Sequence, residues 1–124
     1  MDKIVVVAVG GSLGAVARYL LSLWAAERFG AAFPYGTLIA NVAGCFVIGA
    51  FMTLATDRFI VSPYWRLLVT VGFIGGLTTF SSFSYETFKL LEDAQVTSAA
   101  GNILLNLVLG FSATWLGMVI AKLF

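Results

Sequence analysis

Five hydroxyl residues and two phenylalanines share the run Thr78-Thr79-Phe80-Ser81-Ser82-Phe83-Ser84, which is entered through Gly72-Phe73-Ile74-Gly75-Gly76-Leu77. Glycine costs about 1 kcal/mol relative to alanine inside a helix, so adjacent glycines followed by clustered hydroxyls predict an unwound turn. In apolar surroundings, the backbone groups that such a turn releases are tolerated only where protein buries them or an ion or water satisfies them. The segment is therefore a candidate ion site. The competing expectation is an intact helix whose hydroxyls bond back to their own carbonyls.

Other residues can serve the same site. Thr37 and Asn41 share one helix face by their i, i+4 spacing, as do Asn102 and Asn106. These stripes either hydrogen-bond between helices or line a passage for water or ions. Phe80 and Phe83, three positions apart, either pack a core or present their positive ring edges to an anion. Arg18 would cost about 2.5 to 3.5 kcal/mol at the centre of a membrane helix. It lies towards one end of its apolar block, where it snorkels or attracts anions into an aqueous vestibule. Glu86 falls about 13 Å beyond the centre of the proposed break at helical rise, near an interface. It is a solvated or hydrogen-bonded carboxylate, or part of a pathway.

The elements that must position these groups are apolar. Of 124 residues, 60% are hydrophobic and 10% charged, whereas a soluble domain carries about 25% charged residues. Four blocks, Ile4 to Ala26, Tyr35 to Thr56, Trp65 to Leu91 and Ser98 to Ala121, reach the ~20 residues that cross a bilayer as a helix. The connections Glu27 to Pro34, Asp57 to Tyr64 and Glu92 to Thr97 are short and contain both prolines. No segment alternates as a barrel strand would. The expected fold is an all-α membrane protein, a single four-helix transmembrane domain over residues 1–124, with the third helix broken mid-membrane. The third block has 27 residues and would make a straight helix about 40 Å long, enough to include an unwound turn. Gly10 and Gly14, Ala40 and Gly44, and Gly72 and Gly76 are small-xxx-small pairs that permit close helix contact.

An even number of spans puts both termini on one side, with Lys3, Arg58, Arg66 and Lys122; the other side has Arg28 and Lys89, with Arg18 buried towards it. So weak a bias fits insertion in both orientations with head-to-tail pairing, or an ordinary protein of modest bias. The net charge of +1 offers no basic stripe, so no nucleic acid partner is expected. With no histidine and with Cys45 alone in an apolar run, neither a metal cluster nor an intramolecular disulfide is expected. No nucleophile–base arrangement suggests an enzyme. Met1-Asp2-Lys3 leads into a block too long for a signal-peptide core, which is expected to be retained.

The segment Gly75-Gly76-Leu77-Thr78-Thr79-Phe80-Ser81-Ser82-Phe83-Ser84, followed by Glu86 and Thr87, resembles the signature of the Fluc fluoride channels, also called CrcB proteins. Gly10-Gly11-Ser12-Leu13-Gly14-Ala15 with Arg18-Tyr19 is similar to that family's first helix, and Gly36-Thr37-Leu38 with Asn41-Val42-Ala43-Gly44 to its second. Ser82 stands where many relatives carry threonine, and the fourth helix matches least distinctly. The resemblance implies passive, selective fluoride export that protects a microbial cell, from a multi-pass protein of the plasma membrane (the bacterial inner membrane). It implies a dual-topology antiparallel homodimer in membrane lipid, with two fluoride pathways and a structural Na+ held by backbone carbonyls of Gly75 and Thr78 from both subunits. Phe80 and Phe83 would be pathway phenylalanines, Asn41 would lie nearby, and Thr37, Ser81 and Ser82 would supply a polar track. Arg18 and Glu86 become candidate vestibule or pathway charges.

Fluoride is small and strongly hydrated, so a pore must replace its water with compact donors such as hydroxyls and the asparagine amide. A fixed row of lysines would hold it too tightly to release. A small dual-topology multidrug transporter shares the size and span count but needs an intramembrane acid in its first span, where this chain has Arg18 and no acid. A nonspecific pore-forming membrane protein would not require the glycine-rich segment together with Phe80 and Phe83.

Overall fold

With no water to satisfy peptide groups in a bilayer, an apolar block closes its hydrogen bonds within itself as a helix. In the computed structural model, which describes residues 2–124, four segments are helical, long and apolar enough to cross a membrane: Asp2–Phe29, Tyr35–Arg58, Pro63–Glu92 and Val96–Lys122. They extend the expected blocks by a few residues into the charged ends.

Helix α1 is Asp2–Phe29, with Asp2 in its first turn and Arg28 in its last, each complementing the helix dipole. It ends where Gly30 takes a φ of 85° and its N–H donates to the Ala26 carbonyl at 2.9 Å, a left-handed stop that favours glycine. Helix α2 is Tyr35–Arg58. Its last turn, Leu54–Arg58, has π geometry and closes with Phe59 N–H donating to the Leu54 carbonyl at 2.8 Å.

The third span is two helices. Helix α3 (residues 63–77) starts with Pro63 in its first turn and the Ser62 hydroxyl accepting from Tyr64 N–H at 3.2 Å. Its middle, Leu67–Ile74, has π geometry, and it closes as α-helix through Gly75–Leu77. Thr78 (φ −83°, ψ 154°) and Thr79 (φ −152°, ψ 120°) are extended, and helix α4 is Phe80–Glu92. After a turn at Ala94 (φ 61°), helix α5 runs Val96–Lys122.

The break therefore exists but does not fall on the glycines: Gly72, Gly75 and Gly76 are all helical. Gly72 and Gly76 serve helix contact instead. A Cβ on Gly72 would meet Gly10 Cα at 2.9 Å, one on Gly76 the Gly11 carbonyl at 2.5 Å, and one on Gly10 the Leu68 carbonyl at 2.5 Å. Helices α1 and α3 thus touch backbone to backbone, as small-xxx-small pairs allow. The second extensive contact joins α2 to α5, where a Cβ on Gly49 would strike the Thr114 carbonyl and one on Gly117 the Phe46 carbonyl. Basic side chains tie the terminal-side ends together: Arg66 donates to the Ala55 carbonyl at 2.6 Å, and Arg58 to the Lys122 carbonyl.

Candidate ion pathway

Two extended residues inside an apolar bundle need partners for their peptide groups. Thr78 N–H and Thr78 Oγ1 both donate to the Ile74 carbonyl at 2.9 Å, closing α3. Thr79 N–H then turns to α2 and donates to Asn41 Oδ1 at 2.8 Å, while Asn41 Nδ2 donates back to the Thr79 carbonyl at 3.2 Å. The carboxamide replaces the helix ladder at this residue. Thr79 Oγ1 accepts from Ser82 N–H at 3.1 Å and so caps α4, with Ser81 Oγ 3.3 Å away. Gly44 leaves room for Thr78, whose methyl group a Cβ there would strike.

This arrangement releases particular carbonyls. Because Thr79 N–H goes to Asn41, it does not continue the ladder to Gly75. Because Ser82 N–H goes to Thr79 Oγ1, the Thr78 carbonyl is outside the ladder as well. The next carbonyl, that of Gly76, accepts from Arg18 Nε at 3.2 Å. Arg18, expected to snorkel or to face a vestibule, reaches across with its Nε to the end of α3. Among the described residues no cluster of acidic, histidine or cysteine side chains could hold a metal. The hard, neutral oxygens at Gly75 and Thr78 suit a sodium-sized cation by chemistry.

Beyond the break, Phe80 is 76% exposed on the isolated subunit whereas Phe83 is 8% exposed. Their rings meet edge to face, with centroids 5.5 Å apart and planes at 73°. They border a groove of about 310 Å³ whose lining includes Asn41, Thr78, Thr79, Asn106 and Thr114 and no charged residue. Towards the α1–α2 connection, a cavity of about 280 Å³ is lined by Thr37, Glu86, Lys89 and Asp93 among others. Here Thr37 Oγ1 donates to Glu86 Oε2 at 3.1 Å. Glu86 Oε1 is buried with no hydrogen-bond partner among the described residues. Towards the termini, a third cavity of about 410 Å³ shares Thr114 with the groove and reaches Asp57 and Lys122.

The structure gathers Thr37, Asn41, Phe80, Phe83 and Glu86 along the α2–α4 side, with Ser81 and Ser82 on the first turn of α4. The amide stripes of α2 and α5 meet, Asn41 Nδ2 donating to Asn106 Oδ1 at 2.9 Å. For Asn102 and Asn106 the sequence leaves interhelical hydrogen bonding and a passage lining open, and the Asn41–Asn106 bond is of the first kind; Thr79 and Thr114 carry no such individual signal. The i, i+4 spacing of the two asparagines was the available signal.

The sequence matches a family model described as CrcB-like protein, Camphor Resistance (CrcB), over residues 5–118. It is 48% identical over 122 residues to a protein of Geotalea uraniireducens (strain Rf4) named fluoride-specific ion channel FluC, covering 98% of each chain. A protein of the same name from Solibacter usitatus (strain Ellin6076) is 46% identical, with 97% of this chain and 98% of the relative covered. One from Acidobacterium capsulatum is 48% identical over 116 residues, covering 94% and 93%.

Proposed function

The chain belongs to the CrcB family, and on that premise we propose that it is a fluoride channel that lets the ion leave a microbial cell passively. It is a multi-pass membrane channel and not an enzyme. The observation that carries this reading is the groove at the break: hydroxyls, amides and two crossed phenyl rings, with no charged residue in its lining. Such a surface can replace fluoride's water by the Thr79 and Thr114 hydroxyls, the positive ring edges and, once it releases one of its hydrogen bonds, the Asn41 amide, without trapping the ion on a fixed cation.

Three cavities succeed one another along α2: Thr37 borders the first, Asn41 the second, and Ile48 to Asp57 the third. Fluoride passes along them beside Thr37, Phe80 and Phe83, with Ser81 and Ser82 on the first turn of α4 as the rest of the proposed polar track. Glu86 sits where the first cavity meets the track. Arg18 fixes the end of α3 from behind.

A second copy completes the site. Gly75, Phe80 and Ser81 are exposed on the subunit, yet released backbone carbonyls at mid-membrane are not left to lipid. Pairing about the break covers them, and the weak charge bias supports an antiparallel pair inserted in both orientations, in the bacterial inner membrane. The Gly75 and Thr78 carbonyls of both copies would hold a structural Na+. A bound ion would supply the positive charge that these carbonyls require in a dry interface.

Purified protein in liposomes, loaded separately with fluoride and chloride, tests the reading. Efflux of fluoride alone is expected; equal loss of both ions would make the protein a nonspecific pore.

A further inference from the structure

The Phe83 carbonyl can only accept, and Thr87 Oγ1 donates to it at 2.8 Å. The Thr87 oxygen in turn accepts from Asn102 Nδ2 at 3.0 Å. That places the Asn102 oxygen towards Asn106, whose Nδ2 donates to Asn102 Oδ1 at 3.0 Å and to the Asn102 carbonyl at 2.8 Å. Asn106 Oδ1 then accepts from Asn41 Nδ2, and Asn41 grips the Thr79 peptide. The far end is fixed independently, because Thr79 N–H can only donate. Both ends dictate the same orientation for all three carboxamides, and flipping any one would set donor against donor.

We propose that Asn102, Asn106 and Thr87 are positioning residues of the pathway, forming a one-directional amide relay that holds Asn41 on the Thr78–Thr79 break. The relay leaves α4 at Thr87, crosses α5 and α2, and returns to the cap of the same α4 helix. Its two backbone anchors, Thr79 and Phe83, flank the Phe80 and Phe83 rings. It therefore sets the separation between the Asn41 amide and the phenylalanine edges across the groove. Aligned hydrogen bonds in a low-dielectric interior strengthen one another. Asn102 is fully buried, and Thr87 and Asn106 are 5% and 8% exposed, so a lost member leaves its neighbour unpaired. Both Asn41 N–H groups are occupied, one by Asn106 and one by Thr79. Asn41 can donate to a passing anion only by releasing one of them.

The functional part rests on the channel reading, so the experiment has one readout that does not. Thr87→Val keeps the shape and removes the hydroxyl; Thr87→Ser keeps the hydroxyl and removes the methyl. Fluoride efflux per folded protein and hydrogen exchange of the Thr79 backbone amide are measured for both. The relay predicts faster Thr79 exchange and an efflux loss of about tenfold for Thr87→Val, with Thr87→Ser within about twofold of the parent on both, as one lost buried acceptor implies. Simple packing predicts the reverse order, and that order, or unchanged Thr79 exchange in Thr87→Val, overturns the proposal. If Thr87→Val yields no folded protein, the parent decides: the Asn106 side-chain amide protons must be protected, and exchange as fast as that of an exposed asparagine overturns the relay. A parent that carried no fluoride would sink the channel reading while the exchange data still judged the relay.

Discussion

Two helix pairs make this bundle, and they are joined by different physics. Between α1 and α3 the contact is backbone on backbone at Gly10, Gly14, Gly72 and Gly76. Between α2 and α5, glycine contacts at Gly49 and Gly117 follow, towards the C-terminal ends of both helices, a chain of carboxamides at Asn41, Asn102 and Asn106. The first pair is a prop; of the second, α2 borders every cavity of the proposed track and α5 borders the groove and the third cavity. Separating the two lets α3 stop at mid-membrane without loosening the fold, because α1 holds its end and α2 receives its freed peptide.

The strongest way to break this contrast is to put a side chain into the prop. A Cβ on Gly14 would strike the Phe73 carbonyl and stand 2.9 Å from Leu77 N, backbone atoms that cannot turn aside. Gly14→Val is expected to destabilise by about 3 kcal/mol or more, at the upper end for overpacked sites, and to remove folded protein from size-exclusion profiles. Normal yield and thermal stability would mean that α1 and α3 are not in backbone contact.

On the other side of the comparison the rings should matter to flux and little to folding. Phe80→Ile and Phe83→Ile keep much of the apolar volume and are expected to reduce fluoride efflux per folded protein at least about tenfold, through loss of the positive ring edges. Phe83, the more buried, should also lose some stability. Efflux that fell only in step with folded yield would assign the rings to packing.

Much of this division was legible in the sequence, and where it was not, the cause is distance along the chain. Hydropathy placed the four spans because membrane thickness sets helix length. The small-xxx-small spacing of Gly10, Gly14, Gly72 and Gly76 pointed to close contact. The i, i+4 asparagines announced polar faces that had to find partners. Adjacent glycines followed by hydroxyls predict a break within Gly72 to Ser84 but not its exact residues, because the residue that fixes it, Asn41, lies 38 positions before Thr79. The acceptor of Arg18 at Gly76 is likewise out of local reach, 58 positions away. Neither π segment carries a local signal of that kind. They lie at the end of α2 and through the middle of α3.

The smallest effect sharpens the comparison within one helix. Gly110 and Gly117 both belong to α5, yet they meet α2 differently. A Cβ on Gly117 would strike the Phe46 carbonyl and stand 2.9 Å from Ala50 N, whereas one on Gly110 would have only Cys45 Sγ nearby, at 3.5 Å. The latter is ordinary van der Waals contact. Replacing a helical glycine by alanine is worth up to about 1 kcal/mol where space permits. Gly110→Ala should therefore leave thermal stability unchanged or raise it slightly, while Gly117→Ala should lower it. Gly110 also borders the groove, so the added methyl narrows it beside Asn106 without removing a donor. A modest fall in fluoride efflux at full stability would locate the permeant ion on this face of α5. Should Gly110→Ala destabilise as much as Gly117→Ala, then α2 and α5 are packed as tightly at the groove as α1 and α3 are at the prop, and the two pairs do not divide support from conduction.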